Sequence, residues 1–221
     1  MNIIELKNYV LDFKMSGRPF EPFDFLLARG EVCLLSPDFI DDGLTFLKAL
    51  ATLIRPVSGT YHFNDKRLHL SDYSSLLSVK KKIGFITSHS ALISNLTIRE
   101  NLGWNRAYYE NTTSMEIGDE TQKLCDLFSA CQMMDLRPSN ISPRDRHLAI
   151  TIRELAKSPE ILLLENPEDF IGLANFGIFW DVMTGLVKKK IPVVFLSSSK
   201  SFIQSFSNRK LVISQGKLRE A

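Results

Sequence analysis

The spacing of apolar positions changes along the chain, and each change marks an element. Residues 3–13 and 20–27 read as short strands separated by Gly17-Arg18-Pro19. Residues 32–35 are a short apolar run after Gly30, stopped by Ser36-Pro37, which predicts a buried strand. From Asp42 onward Leu44, Leu47, Leu50, Ala51 and Ile54 recur at helical spacing up to Pro56. Ser58-Gly59 reads as a turn into a strand over 60–63, and Asn64-Asp65 as a further turn. Residues 83–87 are apolar between Lys80-Lys81-Lys82 and Ser88-His89-Ser90, again a strand.

The stretch 98–157 reads mostly helical, with Leu124, Leu127, Phe128 and Cys131 on one face and Leu148, Ile152 and Leu155 on another. Residues 161–164 are continuously apolar, the mark of a strand buried on both sides of a parallel sheet. A helix over about 176–189, a buried strand over 192–196, a short helix, a strand over 210–214 and a turn at Gly216 complete the order. Strands alternating with helices predict an α/β parallel sheet, interrupted by a long helical insert.

Composition narrows the function classes. A chain of 221 residues with 44% hydrophobic and 24% charged residues can bury a large core. A net charge of +2 gives no general attraction to nucleic acid or anionic lipid. Cys33, Cys125 and Cys131 have no metal-ligand spacing, and their odd number argues against a disulfide framework. The first residues carry no basic region followed by an apolar run, and no stretch is long enough to span a membrane. No direct membrane insertion is expected, so any membrane association comes through a partner.

Five segments, in order, resemble the ATP-binding cassette (ABC) transporter ATPase domain. They are Gly30-Glu31-Val32, the helix Lys48-Ala49-Leu50-Ala51 running to Arg55-Pro56-Val57-Ser58-Gly59, residues 91–102 (ALISNLTIRENL), residues 153–164 (RELAKSPEILLL), and Ser214-Gln215-Gly216-Lys217-Leu218. The resemblance implies a P-loop NTPase-like ABC ATPase fold: a mainly parallel sheet, an N-terminal antiparallel β subdomain and an inserted helical subdomain. It further implies one domain over 1–221, with the α/β core and β subdomain in 1–90 and 159–221 and the helical subdomain in 91–158.

The chemical positions of the family are altered. Its phosphate loop, G-x-x-x-x-G-K-[ST], wraps backbone N–H groups, a lysine and a hydroxyl around phosphate and Mg²⁺. Here it aligns with Pro37-Asp38-Phe39-Ile40-Asp41-Asp42-Gly43-Leu44-Thr45, and no Lys or Arg lies between Gly30 and Lys48. Asp38, Asp41 and Asp42 stand where phosphates are expected, and like charges about 4 Å apart repel by about 4 kcal/mol at a dielectric of about 20. Asp41 or Asp42 reads as a helix cap rather than a metal ligand. The Q-loop glutamine position holds Ser88. The signature loop reads Ile141-Ser142-Pro143-Arg144-Asp145 and keeps Ser142. The Walker B strand ends Glu165-Asn166, the D-loop position is Gly172, and the switch histidine position is Ser198. Phe13 matches the adenine-stacking aromatic.

These changes lead to the expectation of a non-hydrolysing subunit of an ABC-type transporter, structural or regulatory, with no catalytic residues, no metal, and neither ATP nor Mg²⁺ as cofactor. The alternatives are an atypical slow ATPase energising transport, or a nucleotide sensor that does not hydrolyse. The expected partner is a transmembrane transporter subunit, with an active ABC ATPase subunit as a second candidate and no nucleic acid, and the expected place is the cytoplasmic face of the membrane. Docking is expected around Ser88, Asn101, Trp104, Tyr108 and Tyr109, where the aromatics are equally readable as core of the helical subdomain.

Overall fold

In the computed structural model, which describes residues 2–11 and 20–221 apart from the side chains of Phe170 and Leu173, the chain builds two sheets. Strands β1 (Asn2–Leu11), β2 (Phe23–Ala28), β4 (Pro56–Phe63) and β5 (Lys66–Arg67) form an antiparallel sheet in the order β2-β1-β4-β5. The second sheet comprises β3 (Val32–Pro37), β6 (Ile83–Ile86), β7 (Ile161–Glu165), β8 (Val193–Leu196), β9 (Arg209–Ser214) and β10 (Lys217–Glu220), in the order β10-β9-β3-β8-β7-β6. Its strands are parallel except β10, which pairs antiparallel with β9. The α/β architecture read from the sequence is therefore present.

Helices α1 (Ile40–Leu50), α2 (Tyr73–Lys80), α3 (Ile98–Glu110), α4 (Asp119–Leu127), α5 (Pro143–Leu155), α6 (Pro167–Ile171), α7 (Leu173–Lys188) and α8 (Lys200–Phe206) surround the second sheet. Strand pleating decides which face each residue serves. Ile161, Leu163, Val194 and Leu196 join α1 and the antiparallel sheet in one core. Leu162, Leu164, Val193 and Phe195 join α3, α5, α7 and α8 in the other. Every residue of β7 and β8 is buried, as the continuous apolar runs require.

Aromatic packing ties the layers. Phe46 of α1 meets Phe25 edge-on at 5.2 Å and Phe23 at 5.7 Å, and the Tyr61 hydroxyl donates to the Leu50 carbonyl at 2.7 Å. On the far side Phe202 of α8 contacts Phe176, Phe179, Trp180, Phe195 and Phe206. Each fully buried aromatic or branched side chain contributes about 1.5–3 kcal/mol relative to exposure. No helix among the described residues is long and apolar enough to cross a membrane.

The structure changes three local expectations. Ser58-Gly59 is not a turn: β4 starts at Pro56, and Gly59 sits inside it at φ 101 opposite Asn8 at φ 46. The β1–β4 register shifts there, and a Cβ on Gly59 would come within 2.4 Å of the Asn8 carbonyl oxygen, so the glycine marks a bulge. Helix α2 went unpredicted because it buries only Leu76 and Val79. The helical stretch 98–157 is broken by 3₁₀ turns at Cys131–Met133 and Pro138–Asn140.

Asn101 also differs from expectation. It is 1% exposed and holds the loop before α3: its amide nitrogen donates to the carbonyls of Ile93, Leu96 and Thr97, and its oxygen accepts from the Ile93 amide at 2.7 Å. It is therefore no part of an exposed docking face. Asn101→Ala orphans several backbone groups and is expected to cost about 2–4 kcal/mol of stability. Trp104→Ala, on the exposed side of the same helix, should cost under about 1 kcal/mol; urea unfolding of both variants checks the ordering.

Candidate functional site

The C-terminal edge of the parallel strands carries the polar groups, as in other open α/β sheets. At the end of β7 the Glu165 carboxylate is 5% exposed. It accepts from the Ser88 amide at 2.7 Å and from the Ser88 hydroxyl at 2.9 and 3.1 Å. The structure thus brings together two sequence-predicted residues 77 positions apart, Ser88 after β6 and Glu165 on β7. Asn166, next in the chain, turns left-handed at φ 38, and its amide donates to the Leu196 carbonyl.

A second carboxylate here was missed by the sequence reading. Glu168 Oε1 accepts from the Ser197 hydroxyl and the Ser198 amide, each at 2.7 Å, from the Ser199 amide at 3.0 Å and from the Ser198 hydroxyl at 3.2 Å. The Ser197-Ser198-Ser199 turn was the available signal, because consecutive hydroxyls and amides at a strand end form a ready anion receptor. Asp169, one residue on, has its carboxyl pushed up, first by burial and then by the charges of Glu168 and Glu165.

The phosphate-loop segment is compact. β3 continues through Pro37, which pairs with Ile213, and the Asp38 amide donates to the Ile213 carbonyl, leaving a short connection to α1. Gly43 is packed tightly: a Cβ there would lie 2.9 Å from both Pro37 Cγ and Leu196 Cδ2. Leu44 and Thr45 are buried within α1. The three aspartates do not form one anionic wall. Asp38 accepts from the Ser214 hydroxyl at 2.7 Å and from the Gln215 amide, Asp42 is buried, and Asp41 is exposed. The N-cap position of α1 is Phe39, with Asp41 and Asp42 in the first turn.

The signature segment forms the start of α5. Ser142 is its N-cap, accepting from the Asp145 amide at 3.1 Å and donating to the Asp145 carboxylate at 2.8 Å, with Pro143 at the first helical position. Arg144 packs on Gly172, where a Cβ would lie 2.5 Å from Arg144 Cδ. Phe13 lies outside the described residues.

Beside this edge runs a groove of about 350 Å³, lined by Thr87, His89 and Ser90 on either side of Ser88, with Phe85, Tyr109 and Arg153. Tyr108 is 45% and Trp104 38% exposed, whereas Tyr109 is half-buried and burial pushes its hydroxyl up to about 12. The Tyr73 and Tyr108 hydroxyls hydrogen-bond across from α2 to α3. Of the expected docking residues, Trp104 and Tyr108 present surface, Tyr109 lines the groove, and Ser88 is turned to Glu165.

Comparison with known proteins places these features. The family model described as ABC transporter matches residues 45–169. The methionine import ATP-binding protein MetN of Haemophilus ducreyi is 23% identical over 222 residues, covering 99% of this chain and 64% of that protein. The sulfate/thiosulfate import ATP-binding protein CysA of Salmonella typhimurium is 25% identical over 179 residues, covering 77% of this chain and 48% of its own length. The chain thus spans less than two-thirds of these relatives. Among solved structures, the dimeric bacterial ABC transporter cassette MJ0796 superposes with a TM-score of 0.84 at 19% identity, covering 99% of this chain and 98% of that one. Its post-hydrolysis form bound to ADP and Pi gives 0.81. At that identity the likeness establishes the P-loop NTPase-like ABC ATPase fold.

These findings correct the expectation of a non-enzymatic, non-hydrolysing subunit with neither ATP nor Mg²⁺. The matching family model is that of ABC transporters, and the relatives are named ATP-binding import proteins. A substituted motif residue is not by itself lost chemistry, and the three aspartates do not face phosphate together: Asp38 is turned to the β9–β10 hairpin and Asp42 is buried.

The tight packing at Gly43 carries a prediction. Gly43→Ala is expected to lower stability by about 1–3 kcal/mol through overpacking against Pro37 and Leu196. Gly177→Ala, in α7 with nothing within 4 Å of its added Cβ, should be neutral or stabilising by under about 1 kcal/mol. Chemical denaturation of the two variants in parallel makes the comparison.

Proposed function

The chain belongs to the ABC transporter family, and from that premise we propose that it is an atypical, slow ATPase subunit that energises transport through a membrane partner. The observation that carries this reading is the buried Glu165 carboxylate at the end of β7, held by the Ser88 amide and hydroxyl. The family implies Mg²⁺ and ATP. A carboxylate flanked by a hydroxyl suits Mg²⁺, a hard ion that takes one or two carboxylates and completes its shell with water and phosphate oxygens. Bound there, the ion would supply charge neutralisation to the phosphates.

The fit to the triphosphate is partial. Pro37 offers no N–H, the Asp38 amide is already used by Ile213, and the segment from Gly30 to Lys48 has no cation. Weak nucleotide affinity and low turnover follow, since phosphoryl transfer depends on positioning and charge stabilisation. Glu165 and Ser88 orient the site, and Glu168 fixes the Ser197–Ser199 turn beside it.

The exposed Trp104 and Tyr108, with the groove beside Ser88, support docking of a transmembrane subunit at the cytoplasmic face of the membrane. Movement of that subunit would reach Glu165 through the 87–90 loop, because Ser88 binds the carboxylate while Thr87, His89 and Ser90 line the groove.

Purified protein should bind Mg-ATP by calorimetry and release phosphate slowly in a Mg²⁺-dependent reaction. Glu165→Gln, close in shape, should reduce that rate about tenfold or more while leaving the unfolding midpoint little changed. Phosphate release unaffected by Glu165→Gln, or no nucleotide binding at all, would overturn the proposal.

A further inference from the structure

A second cavity, of about 390 Å³, lies between α3, the start of α4, the end of α5 and the turn before β6. It meets the groove beside Ser88 at Tyr109, Arg153 and Lys157, and follows the face of α3 that carries Leu102, Asn105 and Arg106. At about 100° per residue that face is turned away from Trp104 and Tyr108.

Five cationic side chains line this cavity, Lys81, Lys82, Arg106, Arg153 and Lys157. Three carboxylates answer them. Glu110 pairs with Arg106 at 2.9 Å, Glu160 with Lys82 at 2.8 Å, and Glu154 is shared by Arg153 at 3.2 Å and Lys157 at 2.5 Å. The other lining carboxylate, Glu120, is taken up by Lys123 at 3.6 Å. Lys81 makes no ion pair among the described residues. Two positive charges are therefore left over. Part of that excess is recessed, since the Arg153 and Lys157 side chains are 17% and 13% exposed with one carboxylate between them. On the same cavity wall the side-chain nitrogen of Asn105 is shielded from water and has no hydrogen-bond partner. A buried donor of that kind costs stability until an acceptor reaches it.

We propose that this cavity binds a small molecule through a phosphate monoester. That group carries close to two negative charges at neutral pH and three acceptor oxygens. It matches the charge left over and offers Asn105 an acceptor, whereas a single carboxylate or sulfate ester balances only one charge. Leu102, Ala156 and the Tyr109 ring give an apolar wall for the rest of the molecule. The volume falls within the range of about 300–1,000 Å³ typical of small-ligand sites.

The probe is phenyl phosphate, titrated by calorimetry without Mg²⁺ so that the Glu165 edge stays silent. Its control is phenyl sulfate, the same shape with one charge. The phosphate should bind at least about tenfold more tightly, with the gap narrowing between about 50 mM and about 300 mM salt. Lys81→Gln and Asn105→Ala should each weaken binding by about fivefold or more. Lys200→Gln, on α8, should leave it unchanged, and circular dichroism confirms that all three variants are folded. In wild type the Asn105 side-chain amide resonances should move as the phosphate is added. No saturable binding up to about 10 mM, equal affinity for the sulfate, or full affinity in either cavity variant overturns the proposal. So does binding that appears only with Mg²⁺, which belongs to the Glu165 edge. Sedimentation with phosphatidic acid vesicles by protein that ignores phenyl phosphate also overturns it, and makes the basic face a membrane contact.

Discussion

The Glu165 carboxylate cannot be buried at the end of β7 unless something replaces the water it loses. An uncompensated carboxylate in such a place would cost several kcal/mol or take up a proton. The Ser88 amide and hydroxyl supply that replacement. The consequence is structural as well as chemical, because Ser88 lies on the loop after β6 and its neighbours line the docking groove. One charge-assisted interaction therefore joins the middle of the parallel sheet, the edge where nucleotide chemistry is proposed and the surface proposed for the partner.

The segment between β3 and α1 shows how packing replaces a binding loop. Extending β3 to Pro37 gains a ladder contact with β9 and uses the Asp38 amide. At position 43 of α1 a Cβ would crowd the side chains of Pro37 and Leu196 at 2.9 Å. A long cationic side chain there would have to displace both. The carboxylates nearby are largely engaged: Asp38 with the hairpin, Asp145 with Ser142, and Glu168 with three serines.

Electrostatics divides the two working surfaces. The sheet edge gathers Glu165, Glu168 and Asp169, close enough that the first two raise the third's carboxyl. The groove gathers Lys48, Lys80, Arg153 and Lys157 around one buried carboxylate. Because Ser88 sits between the groove-lining residues 87–90 and hydrogen-bonds to Glu165, one stretch of backbone and one set of hydrogen bonds separate the groove from the carboxylate.

The sequence by itself determined the elements whose burial is written into their period. The continuous runs at 161–164 and 192–196 are the fully buried β7 and β8, and the spacing from Leu44 to Leu50 is the inner face of α1. Ordered family segments pointed to the fold, and Ser88, Ser198 and Glu165 were named at their places on the sheet edge. Sequence could not say where the side chains of that edge point, because a residue's partners there come from strands far apart in the chain. Asp38 turns to a hairpin 176 residues away, Glu165 to a serine 77 residues away, and Asn101 inward instead of outward. Gly59 looked like a turn, since local composition does not distinguish a turn from a bulge that another strand's carbonyl crowds. The basic groove was invisible for the same reason: Lys48, Lys80 and Lys157 are scattered along a nearly neutral chain, and only the packing of α1, α2 and α5 against the sheet sets them side by side.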